Sequence, residues 1–322
     1  MGPVSTVALA ESPAQLVNAA EWAATHDPDT TLVTLGPEPA RTRYQMHQVA
    51  AELTAAGLTH QWSEVRGPGP IRAAALAQLV AQVSRAGTVV IGDPYSGIIQ
   101  AALAARPRPP RIVVVDDGTA TLRYSEQWAT SAELRRWHLP TQPRGARLLA
   151  PRIAGLLGQR SPHVELFTAM PVPAPHPPAT ELTYAWTRDH FGPPQLLAGV
   201  DLMGSSLVET GMVDPEAYLA GVYRLVDERA VRRYLPHRAE EAAKVAAIAA
   251  LGVQIVRPAW PMEWHARRGP IGRHILSFPS TVLHTLPLVL AGTGVQVEAL
   301  SIDDDWFTGA ADDDARAFVH QI

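Results

Sequence analysis

The feature that most constrains this chain is the recurrence of short β-branched apolar runs, each followed by an Ala-rich amphipathic segment. TTLVTLG (30–36), TVVIGD (88–93) and RIVVVDDG (111–118) leave little polar surface on either face of a strand. Strands apolar on both faces belong to parallel sheets, whose crossover helices cover them. MGPVSTVALA supplies a first strand and SPAQLVNAAEWAATH its helix, with Ser12 as N-cap and Pro13 in the first turn. Helices at 44–56 and 71–85 and a short strand at 60–65 continue the alternation.

A second alternation follows a stiff, extended stretch, VPAPHPPATE (172–181), which reads as a connector. Beyond it, QLLAGVDLMGSSLVE (195–209) is a strand ending in a Gly-Ser-Ser turn. DPEAYLAGVYRLVDERA (214–230) is a helix with Asp214 as N-cap and Pro215 at its first position. VRRYLPH, VQIVRP, HILSFPS and VQVEAL read as strands. AEEAAKVAAIAALG, starting at Ala239, and STVLHTLPLVLAG read as helices, and the tail ADDDARAFVHQI as a short amphipathic one. The expectation is an α/β protein of two Rossmann-like domains, 1–185 and 186–322, with parallel sheets facing a central cleft.

Composition removes several classes of function. Net charge is −4 and no basic stripe interleaved with aromatics is present, so nucleic acid is not an expected partner. Cys is absent, which excludes disulfides and thiolate chemistry and fits a cytoplasmic home. The first residues lack the basic and apolar regions of a signal peptide, and no run of about twenty apolar residues could span a bilayer. The 12 histidines show no metal-ligand spacing.

Open parallel sheets bind ligands outside the carboxyl ends of their strands, so polar clusters there carry most weight. Four stand out. Asp116, Asp117 and Gly118 end one strand; adjacent carboxylates repel, which raises one toward the range of a general base, although Asp and Gly also simply end strands. Gly204, Ser205 and Ser206 form a small-residue turn open to a nucleotide, or an ordinary turn. His237 and Arg238 stand at a strand-to-helix junction, where free N–H groups favour an anion or the helix is merely capped. Ser280 and Thr281 open a helix and suit a phosphate or a plain N-cap.

In this order, the clusters resemble the motifs of the bacterial sialyltransferases. GSSLVETGMVDPEAYLAGVYRLV followed by YLPHRAEE looks most like the polysialyltransferase and lipooligosaccharide sialyltransferase group, glycosyltransferase families 52 and 38, of GT-B fold. The resemblance spans roughly 200–290, with VVVDDG alone in the first half, and Pro-His-Arg replaces the commoner His-Pro. It implies an inverting, metal-independent transferase with no cofactor, which moves sialic acid or a related nonulosonic acid from a CMP-activated donor to a glycan acceptor. Asp117 is then the base on the acceptor hydroxyl, with Glu209 and Asp214 as rivals, and His237 serves the departing phosphate. Ser280 and Thr281 hold that phosphate, Glu263 grips the ribose, and Gly204 and Ser205 line the cytidine pocket. Arg238 adds charge beside the phosphates or pairs with Glu241. Peripheral attachment to the inner membrane face and a homodimer are further expectations from the family.

Two readings compete: a GT-B-fold transferase or epimerase using a UDP- or GDP-sugar, and a non-catalytic nucleotide-binding protein. The acid triplets 303–305 and 312–314 suggest solvated faces and caps more than a cation site. GPGPIR (67–72) lacks the Gly-Lys-Ser/Thr ending of a phosphate loop. Asp93, Tyr95 and Ser96 fit a structural turn as well as a sugar contact.

Overall fold

The computed structural model describes residues 5–106, 110–130, 134, 144–159, 161–311 and 316. The chain divides into two compact units, Met1–Trp186 and Thr187–Ile322.

In the N-terminal unit seven parallel strands form one sheet: β1 (Thr6–Ala10), β2 (Thr31–Leu35), β3 (His60–Ser63), β4 (Thr88–Ile91), β5 (Arg111–Val115), β6 (Val164–Thr168) and β7 (Ala179–Glu181). Their spatial order is β3-β2-β1-β4-β5-β6-β7, so the chain winds outward from β1 on one side and from β4 on the other. The helices are α1 (Pro13–His26), α2 (Ala40–Ala55), α3 (Gly69–Arg85), α4 (Gly97–Ala104), α5 (Thr119–Thr130) and α6 (Arg144–Leu157). Val7, Leu9, Val33, Ile91, Val114 and Leu166 line one face and Ala8, Leu32, Val90, Val113 and Phe167 the other, and all are buried. Ser12 caps α1 through Gln15 N at 3.2 Å, with Pro13 in the first turn.

The Pro-rich stretch 172–181 does more than connect. Its last residues are β7, an exposed three-residue edge strand paired with β6 from Leu166↔Ala179 to Thr168↔Glu181. A short exposed strand carries no apolar pattern, which is why composition alone reads it as linker.

Helix α7 (Ala185–Phe191) leads into the C-terminal unit, whose five parallel strands are β8 (Leu196–Met203), β9 (Val231–Leu235), β10 (Gln254–Ile255), β11 (Ile271–Ser277) and β12 (Gln296–Ala299). Their order is β10-β9-β8-β11-β12. The helices α8 (Pro215–Glu228), α9 (Ala242–Ala249), α10 (Met262–Arg268) and α11 (Val282–Val289) complete it. Asp214 caps α8, accepting from Glu216 N and Ala217 N at 2.9 Å each. Tyr218, Val222, Tyr234, Leu276, Phe278 and Trp306 belong to its core. Inside this unit the guanidinium of Arg233 forms a two-pronged pair with Asp201, Nε to Oδ1 at 2.7 Å and Nη2 to Oδ2, and Gly272 N donates to Oδ2 at 2.7 Å.

Helix α9 begins at Ala242, three residues after the expected start, because Glu240 turns inward to a buried network described below. The amphipathic helix expected in the tail lies almost wholly outside the described residues. Among the described residues no helix is long and apolar enough to cross a membrane.

Candidate functional site

In an open parallel sheet the crevice for a ligand lies where the strand order reverses, beyond the carboxyl ends of the two strands flanking that point. In the C-terminal unit those strands are β8 and β11. Their register pairs Met203 with Ser277, so Gly204–Ser206 and Phe278–Thr281 leave the sheet side by side. In the N-terminal unit the reversal falls between β1 and β4, where Glu11–Gln15 and Gly92–Ser96 leave the sheet.

The N-terminal crevice is largely built over by protein. Gln15, buried at 3% exposure, runs across Gly92, where a Cβ would meet its side chain at 2.4 Å. Its Oε1 accepts from Glu11 N at 2.8 Å, and its Nε2 donates to Asp117 Oδ2 at 2.9 Å. Ser12 Oγ gives Asp117 Oδ1 a longer bond of 3.4 Å. The first turn of α1 holds no acidic residue, and Asp117, arriving from β5, brings a carboxylate to the positive end of that helix. Gly118 follows with a φ of 63°, a left-handed conformation suited to glycine, and α5 begins at Thr119.

Asp116 is the deeper of the two carboxylates, at 1% exposure. Its Oδ2 accepts from Ala169 N at 3.1 Å, while Oδ1 has no hydrogen-bond partner of normal geometry. Burial pushes this carboxyl up to about 6, against the opposing pull of Thr121, Thr168 and nearby N–H groups. Asn18 Nδ2 donates to Asp116 O at 2.9 Å, Tyr184 OH donates to Asn18 Oδ1 at 3.0 Å, and Trp186 N donates to Glu21 Oε2 at 3.1 Å. Gln15, Asn18 and Glu21 thus form one buried polar stripe on α1, spaced three residues apart. That spacing on an otherwise Ala-rich helix is the sequence signal that could have revealed them.

The C-terminal crevice has a different character. The hydroxyls of Ser206, Ser280 and Thr281 have no hydrogen-bond partner among the described residues, and all three side chains are partly exposed. Thr281 occupies the N-cap position of α11 but makes no side-chain cap bond. Ser205 is buried instead, its Oγ accepting from Leu207 N at 3.2 Å. The space over Gly204 is filled by Glu240.

At the β9 end the expectation of free N–H groups needs correction. His237 N donates to Glu240 Oε1 at 2.6 Å, Glu240 N to His237 O at 3.1 Å, and Glu241 N to Glu209 Oε1 at 3.0 Å. Ala239 N donates to His237 Nδ1 at 3.2 Å, which in the neutral ring leaves the proton on Nε2. These donors serve the protein's own acceptors.

Glu209 is committed to Lys244 Nζ at 2.9 Å. Burial works to raise its carboxyl, but the bonds from Lys244 and Glu241 N–H prevail and hold it below its usual range. Glu263 lies on α10, where its Oε1 accepts from Thr285 Oγ1 at 2.8 Å and burial pushes the carboxyl up. Arg238 is exposed beside His237. Asp93 accepts from Tyr95 N at 2.7 Å, and Ser96 caps α4. Among the described residues no group of three or more His, Asp or Glu could hold a metal ion. The triplet 312–314 lies outside them.

No family model and no curated protein matches the chain. Solved structures do. A putative UDP-N-acetylglucosamine 2-epimerase from Listeria monocytogenes aligns over 95% of this chain and 81% of its own, with 12% identity and a TM-score of 0.50. A UDP-GlcNAc 2-epimerase from Neisseria meningitidis, bound to UDP-GlcNAc, aligns over 93% and 83% with 12% identity and a TM-score of 0.47. MurG from Acinetobacter baumannii aligns over 92% and 86% with 10% identity and a TM-score of 0.37. The fold assignment rests on the first: two α/β units with parallel sheets, of the GT-B type.

These likenesses correct the resemblance drawn from motifs. The GT-B fold stands, but the likeness that carries it is to a putative UDP-N-acetylglucosamine 2-epimerase, so the sialyltransferase family and a CMP-activated donor are set aside. The physical reason is plain in the topology. Asp116–Gly118, Gly204–Ser206, His237–Arg238 and Ser280–Thr281 follow β5, β8, β9 and β11, the places where any pair of parallel α/β units ends its strands in small and polar residues.

Proposed function

We propose that this protein is a nucleotide-sugar enzyme of the GT-B type that binds a UDP-sugar through its C-terminal unit. The observation that carries this reading is the β8–β11 crevice, where the hydroxyls of Ser206, Ser280 and Thr281 have no partner among the described residues at the point where strand order reverses. Three such donors beside the first turn of α11 suit the oxygens of a diphosphate. The fold likeness to a protein described as a UDP-N-acetylglucosamine 2-epimerase supports a UDP-sugar over other nucleotide sugars. Within the same unit, His237 at the carboxyl end of β9 is the candidate for handling a proton, and the sugar reaction is transfer to a glycan hydroxyl or epimerisation.

The test is a thermal-shift series with UDP, GDP and CMP, followed by incubation with UDP-GlcNAc. Saturating UDP should raise the melting temperature while CMP does not. Acceptor-dependent release of UDP identifies a transferase, and a new UDP-sugar without an acceptor identifies an epimerase. Stabilisation by CMP but not by UDP would overturn the reading.

A further inference from the structure

Lys244 is the only lysine among 27 lysine and arginine residues, and it is buried at 8% exposure. A chain that otherwise uses arginine has placed an ammonium at this one position. The geometry shows what an ammonium does there. Its nitrogen contacts Ser205 O at 2.7 Å, Glu209 Oε2 at 2.9 Å and Glu240 Oε2 at 3.3 Å, and lies 4.5 Å from the centre of the Tyr218 ring. Three acceptors around one nitrogen match the three donors of an ammonium, whereas the flat fork of a guanidinium does not.

The three acceptors lie on two different loops. Ser205 and Glu209 belong to the segment between β8 and α8, and Glu240 to the segment between β9 and α9. A closed ring of bonds joins them. Tyr234 OH donates to Glu240 Oε2 at 2.8 Å, and that uses its one proton. Tyr218 OH, 3.0 Å away, must then donate to Tyr234 and can accept from Ser205 N at 3.2 Å. Lys244 closes the ring on the carbonyl of the same Ser205. Both peptide groups of Ser205 are therefore fixed, and Ser206 follows directly into the β8–β11 crevice.

We propose that Lys244 is the positioning residue of the nucleotide crevice: it locks the β8–α8 loop to the start of α9, so that Ser206 meets the nucleotide from one preset wall. The substrate part of this inference rests on the reading that the C-terminal unit takes UDP; the lock itself does not. Lys244 touches no substrate in this scheme, since its donors are spent on the protein. Its influence passes through Ser205 and Glu209.

A single lysine makes the lock directly measurable. Amine acylation of the intact protein, followed by peptide mass spectrometry, reports the exposure of Lys244 against a free lysyl peptide in the same tube. Lys244 should react at least about tenfold more slowly than that peptide, and Glu209→Gln should speed it several-fold. Acylation at the free-peptide rate in the parent protein would overturn the lock. UDP affinity is then measured well below the melting temperature in Lys244→Met, Lys244→Arg and Glu209→Gln. Lys244→Met should weaken UDP roughly tenfold, the scale of mis-set polar contacts to a charged group, and Lys244→Arg should not restore it. Unchanged UDP affinity in folded variants would overturn the positioning role, because a merely structural lysine lowers melting temperature without touching affinity. If Lys244→Met does not fold, Glu209→Gln decides by the same two readouts. Absence of UDP binding in the parent protein would sink the functional reading, and the acylation rates would still decide the lock.

Discussion

Glu240 occupies the space that any side chain at position 204 would need: a Cβ on Gly204 would stand 1.9 Å from Glu240 Oε1 and 2.5 Å from Tyr234 OH. The glycine of the Gly-Ser-Ser turn is thus explained by a buried carboxylate as fully as by a ligand. Gly204→Ala should destabilise the protein by about 1–3 kcal/mol, since overpacking displaces a hydrogen-bonded acid. Gly97→Ala, where nothing lies within 4 Å, is the matched control and should be close to neutral. Urea unfolding of the two variants checks the contrast.

The carboxyl of Asp116 gives stability a pH dependence of known sign. Its folded value of about 6 lies above the ordinary 3.8, so the folded state holds the proton more tightly. The contribution is complete below about pH 4 and fades as pH rises to about 6, amounting to roughly 2–3 kcal/mol. Asp116→Asn keeps an acceptor for Ala169 N and has no such titration. The variant should therefore gain on the parent between pH 4 and pH 7, read from unfolding free energies at each pH; a constant difference would refute the assignment.

Asp201 and Arg233 form a buried pair, so removing one partner strands the other. Asp201→Ala should cost about 3–5 kcal/mol, and Asp201→Leu combined with Arg233→Met should recover most of the loss. A double-mutant cycle from melting curves measures the coupling, expected at about 2 kcal/mol or more.

The proposed diphosphate site makes a prediction that separates binding from folding. Ser280→Ala and Thr281→Ala remove hydroxyls that have no partner among the described residues, so neither should shift melting in the absence of ligand by more than about 0.5 kcal/mol. Each should weaken UDP by roughly tenfold in calorimetric titration, the scale of one hydrogen bond to a charged group. Undiminished affinity in both would move the nucleotide elsewhere.

The sequence exposes the architecture better than the site. TVVIGD and RIVVVDDG announce β4 and β5 because both-face burial writes itself as β-branched runs. Ser12-Pro13 and Asp214-Pro215 mark helix starts through chemistry that is local. Strand β7 and helices α6 and α10 leave weaker traces: an exposed edge strand has no pattern, and the helices lie in Arg- and Pro-containing stretches. Strand ends were legible as polar clusters, but their partners were not. Gln15 lies 102 residues from Asp117 and Lys244 lies 39 from Ser205, so only the folded chain brings them together. The family reading failed for a related reason, since motifs at strand ends record topology before they record substrate.

The buried stripe on α1 has a consequence for the length of the turn that precedes it. Only Glu11 and Ser12 separate β1 from α1, while Gln15, Asn18 and Glu21 tie two distant parts of the N-terminal unit, Asp116–Asp117 and Trp186, to one side of that helix. Each residue inserted before Pro13 would rotate the helix by roughly 100° and swing all three away at once. Variation in this protein can lengthen many of its surface connections, but the turn between β1 and α1 is a ruler that cannot be recut.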